Sequence, residues 1–146
     1  LDGESSIKWI LNNTKFKTED IINYGESLGT GVSVELNLKY KFLCTVLEAP
    51  YTSIADVAFS RYKIYPTSLF IKDKFNNLKK IDRLKSPILI ISGKKDEIVP
   101  HQHSKILYKN AKVIKKCVFI DEAMHNNLYD FDIANEVIDF NLKLWK

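Results

Sequence analysis

Glycine and proline are scarce, with 5 Gly and 4 Pro among 146 residues, so most of the chain is free to form long regular elements and each glycine that does occur is informative. Only two cysteines are present, Cys44 and Cys117, each inside an apolar, β-prone run. That excludes a disulfide framework and fits buried thiols in a reducing compartment. No apolar stretch reaches the roughly 18 residues that a membrane-crossing helix needs. The first residues, Leu1-Asp2-Gly3-Glu4, lack the basic and apolar regions of a signal peptide. They also lack an initiator Met, so the expectation is a segment that begins inside a longer product. Internal repeats and low-complexity linkers are missing too. A hydrophobic content of 45% with 8 Phe and 7 Tyr argues against disorder and for one packed domain over residues 1–146.

Charge of one sign is not concentrated anywhere. Twenty-two basic against 18 acidic residues give +4, a balance that serves solubility. The nearest approach to a basic patch, Lys72, Lys74, Lys79, Lys80, Arg83 and Lys85, is interrupted by Asp73 and Asp82 and reads as a solvated surface. No nucleic-acid motif accompanies it, so nucleic-acid binding is not expected.

What is present is an alternation of apolar strand-like runs and helical patterns. Ser5 or Ser6 is the expected cap of a first helix through Ile7, Trp9, Ile10 and Leu11, followed by a strand at 21–24. A helix through Val32, Leu36 and Tyr40 leads to a wholly apolar or β-branched strand at 42–47. A short helix at 54–62, the strongest strand at 87–93, a helix at 104–110 and a strand at 117–120 come next. The last helix, 131–145, is expected to bury Ile133, Val137, Ile138, Phe140, Leu142 and Leu144. Such alternation predicts an α/β fold with about four parallel strands and flanking helices joined by right-handed crossovers. Residues 51–86 read as a lid-like excursion over the site. Its aromatics Tyr51, Phe59, Tyr62, Tyr65, Phe70 and Phe75 either line an acyl or aryl pocket, with Tyr51 and Tyr65 as the pocket candidates, or pack the excursion onto the body.

Between the first strand and its helix stands Gly25-Glu26-Ser27-Leu28-Gly29, the G-x-S-x-G form of a nucleophile elbow. A sharp strand-to-helix turn holds its serine in a strained conformation, and Gly25 and Gly29 are expected where helix and strand approach too closely for side chains. Ser27 would project from the turn beside the positive end of the following helix, with the Leu28 amide placed to donate to an oxyanion. Neither G-x-x-x-x-G-K-[ST] nor G-x-G-x-x-G occurs, so the turn is not a phosphate loop.

A serine nucleophile needs a base, and the base an orienting acid. Asp96 follows the strand that ends at Gly93, and His125 follows the last strand. The chain order serine, aspartate, histidine, each after a strand, is that of the hydrolases built on open α/β sheets. Asp121 and Glu97 are the rival acids. His101 and His103, two residues apart, lack the carboxylate or cysteine neighbours that would complete a metal site, and no metal is expected. Acyl transfer by these groups needs only water, so no organic cofactor is implied.

The chain resembles the Bem46-like group of α/β-hydrolases, related to the eukaryotic α/β-hydrolase domain proteins. The resemblance is carried by residues 24–31 around the serine, by Leu47-Glu48-Ala49-Pro50-Tyr51-Thr52-Ser53-Ile54, by 87–100 with His103, and by Ala123-Met124-His125-Asn126-Asn127-Leu128. It implies Ser27 as nucleophile, Asp96 as acid and His125 as base of a serine esterase or thioesterase acting on small-molecule or acyl-protein substrates. It also implies a cytoplasmic location, or membrane association through an N-terminal segment beyond this chain. Two departures stand out: Asn127, where relatives often have Asp, and Asn23, a polar residue in the elbow strand that points to relaxed packing. A complete member has an eight-stranded sheet, so the resemblance makes this chain a C-terminal part that leaves the serine strand on an open edge. A missing N-terminal half or a second copy is then the expected partner. The alternative is a truncated, non-catalytic interaction protein.

Overall fold

The computed structural model describes residues 2–61 and 75–144. Four strands, β1 (Ile22–Glu26), β2 (Cys44–Glu48), β3 (Ile88–Gly93) and β4 (Lys115–Ile120), form one sheet. All pair in parallel and lie side by side in chain order. Among the described residues five α-helices accompany them: α1 (Asp2–Asn13), α2 (Gly29–Lys39), α3 (Ile54–Arg61), α4 (Gln102–Asn110) and α5 (Ile133–Leu144). The expected four-stranded parallel α/β architecture is therefore what forms.

The apolar runs decide which strands are central. Every residue of β2 and β3 is buried, as strands covered on both faces must be. Leu47, Ile88 and Ile90 meet Val34 of α2 and Leu107 of α4 on one face. Cys44, Val46, Leu89 and Ile91 meet Ile133 and Phe140 of α5 on the other. Placing α2 and α4 together is what right-handed crossovers between strands laid down in order require. Four consecutive fully buried side chains, Ile88 to Ile91, each contribute about 1.5–3 kcal/mol of burial, which makes β3 the strand least tolerant of a polar substitution. Outside this core α1 lies against α2, with Ile7, Leu36 and Phe42 buried together.

Element ends differ from the sequence expectation in physically simple ways. Helix α1 begins at Asp2 rather than after a serine cap; Asp2 and Glu4 favour its positive end, and Ser6 donates back to the Asp2 carbonyl at 3.1 Å. Strand β1 runs on through Gly25 to Glu26. Helix α5 buries a narrower face than its apolar content suggested. Ile133, Val137, Phe140 and Leu144 form one stripe toward the core, whereas Ile138 and Leu142 fall outside it, 53% and 59% exposed. The basic run is partly neutralised by pairs of Lys80 with Glu35 and of Arg83 with Asp82.

Asn23 corrects the expectation of relaxed packing. Its amide donates to the Ser33 carbonyl (2.9 Å) and to Thr45 Oγ1 (3.2 Å), tying β1 to α2 and β2. Thr45 Oγ1 also accepts from the Asn37 amide at 2.7 Å, and Asn37 Oδ1 accepts from the backbone N–H groups of Lys85 and Ser86. Ser86 Oγ in turn accepts from the Phe42 N–H at 2.7 Å. This buried network sets the segment entering β3 against α2. Asn37→Ala would strand the backbone N–H groups of Lys85 and Ser86 and leave Thr45 Oγ1 with the Asn23 bond alone. The expected loss is about 2–3 kcal/mol, at the upper end for unsatisfied buried groups, read as a lower urea midpoint with unchanged slope.

Candidate active site

Beyond Glu26 the ladder continues for one more bond, from the Ser27 N–H to the Glu48 carbonyl at 2.9 Å, while the chain turns away. Ser27 takes φ 49°, a left-handed conformation costing on the order of 1–3 kcal/mol for a residue with a side chain. Its carbonyl accepts from the Thr30 N–H (3.0 Å) and the Thr30 hydroxyl (2.6 Å), so the turn passes directly into α2. Gly25 is required by space: a Cβ there would lie 2.5 Å from Ser33 Oγ and 2.6 Å from the Gly29 carbonyl oxygen. Gly29 corrects the expectation of a second close approach, because a Cβ there would meet nothing within 4 Å. Gly31 is crowded as well: a Cβ there would press against the Tyr51 hydroxyl and the Phe75 ring.

Strand β3 ends at Gly93, where a Cβ would run into the Ala123 carbonyl. That absence of a side chain lets the loop after β3 and the loop after β4 lie against each other, joined by Lys94 N–H to the Ile120 carbonyl (2.9 Å) and Lys95 N–H to the Ala123 carbonyl (3.0 Å). Asp96 is fixed within the first loop, its Oδ1 accepting from the N–H groups of Ile98 and Val99 at 2.8 Å each. Asn127 shapes the second, its Oδ1 accepting from the Met124 N–H at 2.8 Å, a role the carboxylate of an Asp would fill equally.

The two loops and the elbow meet. His125 Nδ1 lies 2.7 Å from Asp96 Oδ2 and His125 Nε2 lies 3.0 Å from Ser27 Oγ. Both contacts are satisfied together when Nδ1–H donates to the carboxylate and Nε2 accepts from the hydroxyl. The Asp96 side chain is fully buried and the imidazole nearly so. Such a relay can take a proton from a serine as its oxygen attacks a carbonyl. The Leu28 N–H meets no acceptor among the described residues and sits at the mouth of α2, where an oxyanion would be favoured.

The rival acids stand elsewhere. Asp121 pairs with Lys94 at the surface, its side chain 72% exposed, and Glu97 rims an open cavity of about 260 Å³. That cavity is bounded by His125 together with Ile98, Met124 and Asn126. Tyr51 is buried, and its hydroxyl donates to the Leu28 carbonyl (3.4 Å) from beneath the elbow. Tyr65 lies outside the described residues, as do Tyr62 and Phe70. His101 stacks edge-on to Phe119, while His103 is buried with Nδ1 2.8 Å from the Thr52 hydroxyl. Burial lowers the pKa of both. No group of three or more metal-ligating side chains occurs among the described residues.

One neighbour went unremarked in the sequence. Glu48 closes β2 with 1% exposure, its carboxylate accepting from the Tyr24 hydroxyl. Burial raises its pKa and the Glu26 charge adds to the effect; the Tyr24 bond and His125 oppose it. Burial, then the Glu48 bond, also raises Tyr24. The available signal was an acidic residue at the end of a strand whose pattern already demanded burial on both faces.

A family model described as serine aminopeptidase, S33, matches residues 62–132. Human alpha/beta hydrolase domain-containing protein 17B is 32% identical over 122 residues, covering 82% of this chain and 41% of that protein. An uncharacterized Mycobacterium tuberculosis protein is 29% identical over 126 residues, 86% of this chain and 45% of its own length. The chain thus spans less than half the length of these curated relatives. Among solved structures, a Pyrococcus furiosus esterase superposes with TM-score 0.73 at 21% identity, covering 99% of this chain and 60% of that one. An acetyl xylan esterase from Paenibacillus sp. R4 gives 0.75 at 16%, covering 98% and 51%.

The two elbow glycines are expected to behave oppositely. Gly25→Ala should cost about 1–3 kcal/mol by overpacking, whereas Gly29→Ala should leave stability within about 0.5 kcal/mol or raise it. Thermal unfolding midpoints of the two variants check this.

Proposed function

We propose that the chain belongs to the α/β-hydrolase superfamily, of whose core it has a four-stranded part, and that it is the serine-bearing part of an acyl hydrolase. The substrate class is a carboxylic ester or thioester. The observation that carries this is the continuous hydrogen-bond relay from Ser27 through His125 to Asp96, with Ser27 at a left-handed turn.

Ser27 Oγ attacks the acyl carbonyl and its proton passes to His125 Nε2, while the Leu28 N–H receives the developing oxyanion. His125 returns that proton to the leaving alcohol or thiol as the tetrahedral intermediate collapses to an acyl-serine. A water then gives a proton to His125 and attacks the acyl carbon, and the carboxylic acid departs with Ser27 restored. Asp96 holds the imidazole in the required tautomer throughout. No step calls for a metal or an organic cofactor. A Bem46-like place within the superfamily belongs to the same proposal, as does residence in a reducing compartment, which the free thiols of Cys44 and Cys117 support. No helix among the described residues is long and apolar enough to cross a membrane.

The second part of the proposal concerns β1, which among the described residues is paired only on its β2 side. Its outward-lying Ile22 and Tyr24 are 40% and 41% exposed. We assign this edge to a further strand-bearing polypeptide that completes the sheet and brings the second oxyanion donor. One such donor is worth about 10²–10³ in rate, so the chain alone would label slowly and the completed assembly quickly.

A fluorophosphonate probe tests the reading. Labelling is expected on Ser27, abolished in Ser27→Ala and reduced by about 10³ or more in His125→Ala. Equal labelling of the folded wild type and Ser27→Ala would overturn it.

A further inference from the structure

The relay accounts for one carboxylate beside His125, yet the site holds a second. Glu48 sits at the same sheet end, and its main-chain carbonyl is the acceptor that holds the Ser27 N–H. Its side chain is buried to 1% exposure, has no ion-pair partner among the described residues, and accepts a hydrogen bond from Tyr24. A carboxyl group withdrawn from water is costly, and one without a structural cation calls for an explanation. The groups facing it are few. Tyr24 and Glu26 come from β1, Tyr129 from the turn at 128–131, and His125 from the loop after β4. Its register neighbour on β3, Ile91, carries no charge. Among these only His125 can become a cation, and it does so when Ser27 surrenders its proton.

We propose that Glu48, held by Tyr24, is a positioning residue of the hydrolytic site, a second buried acid that favours the imidazolium formed on His125 during attack. This rests on the hydrolase reading and deepens it. Asp96 fixes the ring through a direct bond, whereas Glu48 acts through space, and Tyr24 keeps its charge in place by donating to Oε2. The pairing is also one of sequence: Glu26 and Glu48 are register neighbours, but Glu26 is exposed and Glu48 is not. Solvent therefore screens the first and leaves the second to act on the site.

The directions follow from the charges. With Glu48 neutralised, the imidazolium loses a stabilising anion, so His125 titrates at lower pH. The acid limb of the reaction profile then moves down in pH, while the plateau falls because the base is weaker. A purely structural injury lowers the plateau and leaves the limb in place.

The test is an NMR titration of the His125 ring in the wild-type chain, Glu48→Gln and Tyr24→Phe, paired with the pH profile of fluorophosphonate labelling. In Glu48→Gln the His125 midpoint is expected to fall, and the acid limb of the labelling profile to move down with it. Tyr24→Phe should shift it in the same direction by less, because the carboxyl then takes up its proton more readily. Tyr24 is partly exposed, so that variant decides the matter if Glu48→Gln does not fold. A His125 midpoint unmoved in the folded variants, with Ser27 still labelled, overturns the inference. A midpoint that moves in a wild-type background showing no Ser27 labelling supports the electrostatic link and overturns the hydrolase reading instead.

Discussion

The bond from the Ser27 N–H to the Glu48 carbonyl does more than end a strand. It pins the first residue of a turn to the neighbouring strand while the backbone is already rotating into the left-handed region. Helix α2 then has to begin at once, since the Ser27 carbonyl is taken up by both donors of Thr30. An immediate helix start brings the first turn of α2 down onto β1, and only a glycine at 25 leaves room for it. The placement of the serine oxygen toward His125 and the unpaired Leu28 amide are consequences of that sequence of constraints. The strain at Ser27 is held by its backbone bonds to Glu48 and Thr30.

Much of this was legible beforehand because the signals were of the kind that physics makes local. Ile88 to Ile91 could be read as a doubly covered strand from composition alone, and Gly25-Glu26-Ser27-Leu28-Gly29 from its position between strand and helix. The order of Ser27, Asp96 and His125 was equally readable, since each stands just past a strand end. What was not legible depended on partners distant in sequence. Whether Gly29 is crowded depends on what lies over it, and nothing does. Which stripe of α5 turns inward is set by the sheet, so Ile138 and Leu142 could not be told from their neighbours. Asn23 looked like a packing fault because its acceptors, Ser33 and Thr45, lie 10 and 22 residues away. Glu48 escaped notice for the same reason: its hydrogen-bond donor lies across the strand pair.

Coverage of the sheet is lopsided. One face carries α2 and α4, with α1 packed outside α2, whereas the other carries α5 against its centre. Beside α5 a largely apolar groove of about 420 Å³ runs between Tyr24 of β1 and Tyr129, Ile133, Val137 and Ile138. Tyr24 faces both ways, lining the groove with its ring and holding Glu48 with its hydroxyl. Whatever occupies that groove would change the solvation of a group one hydrogen bond removed from the site.

Strands laid down in the order in which they are encoded have a temporal consequence. Each can dock on its predecessor as soon as its crossover helix has formed, without waiting for a distant strand to arrive, and such nearest-neighbour assembly keeps the cost of loop closure low. The contact between Ser27 and His125 is the exception, spanning 98 residues. It exists only after the final strand and its loop have docked. On the proposed function, the Ser27 hydroxyl would therefore stay an ordinary, poorly nucleophilic serine throughout assembly, and a half-made chain would expose no activated group.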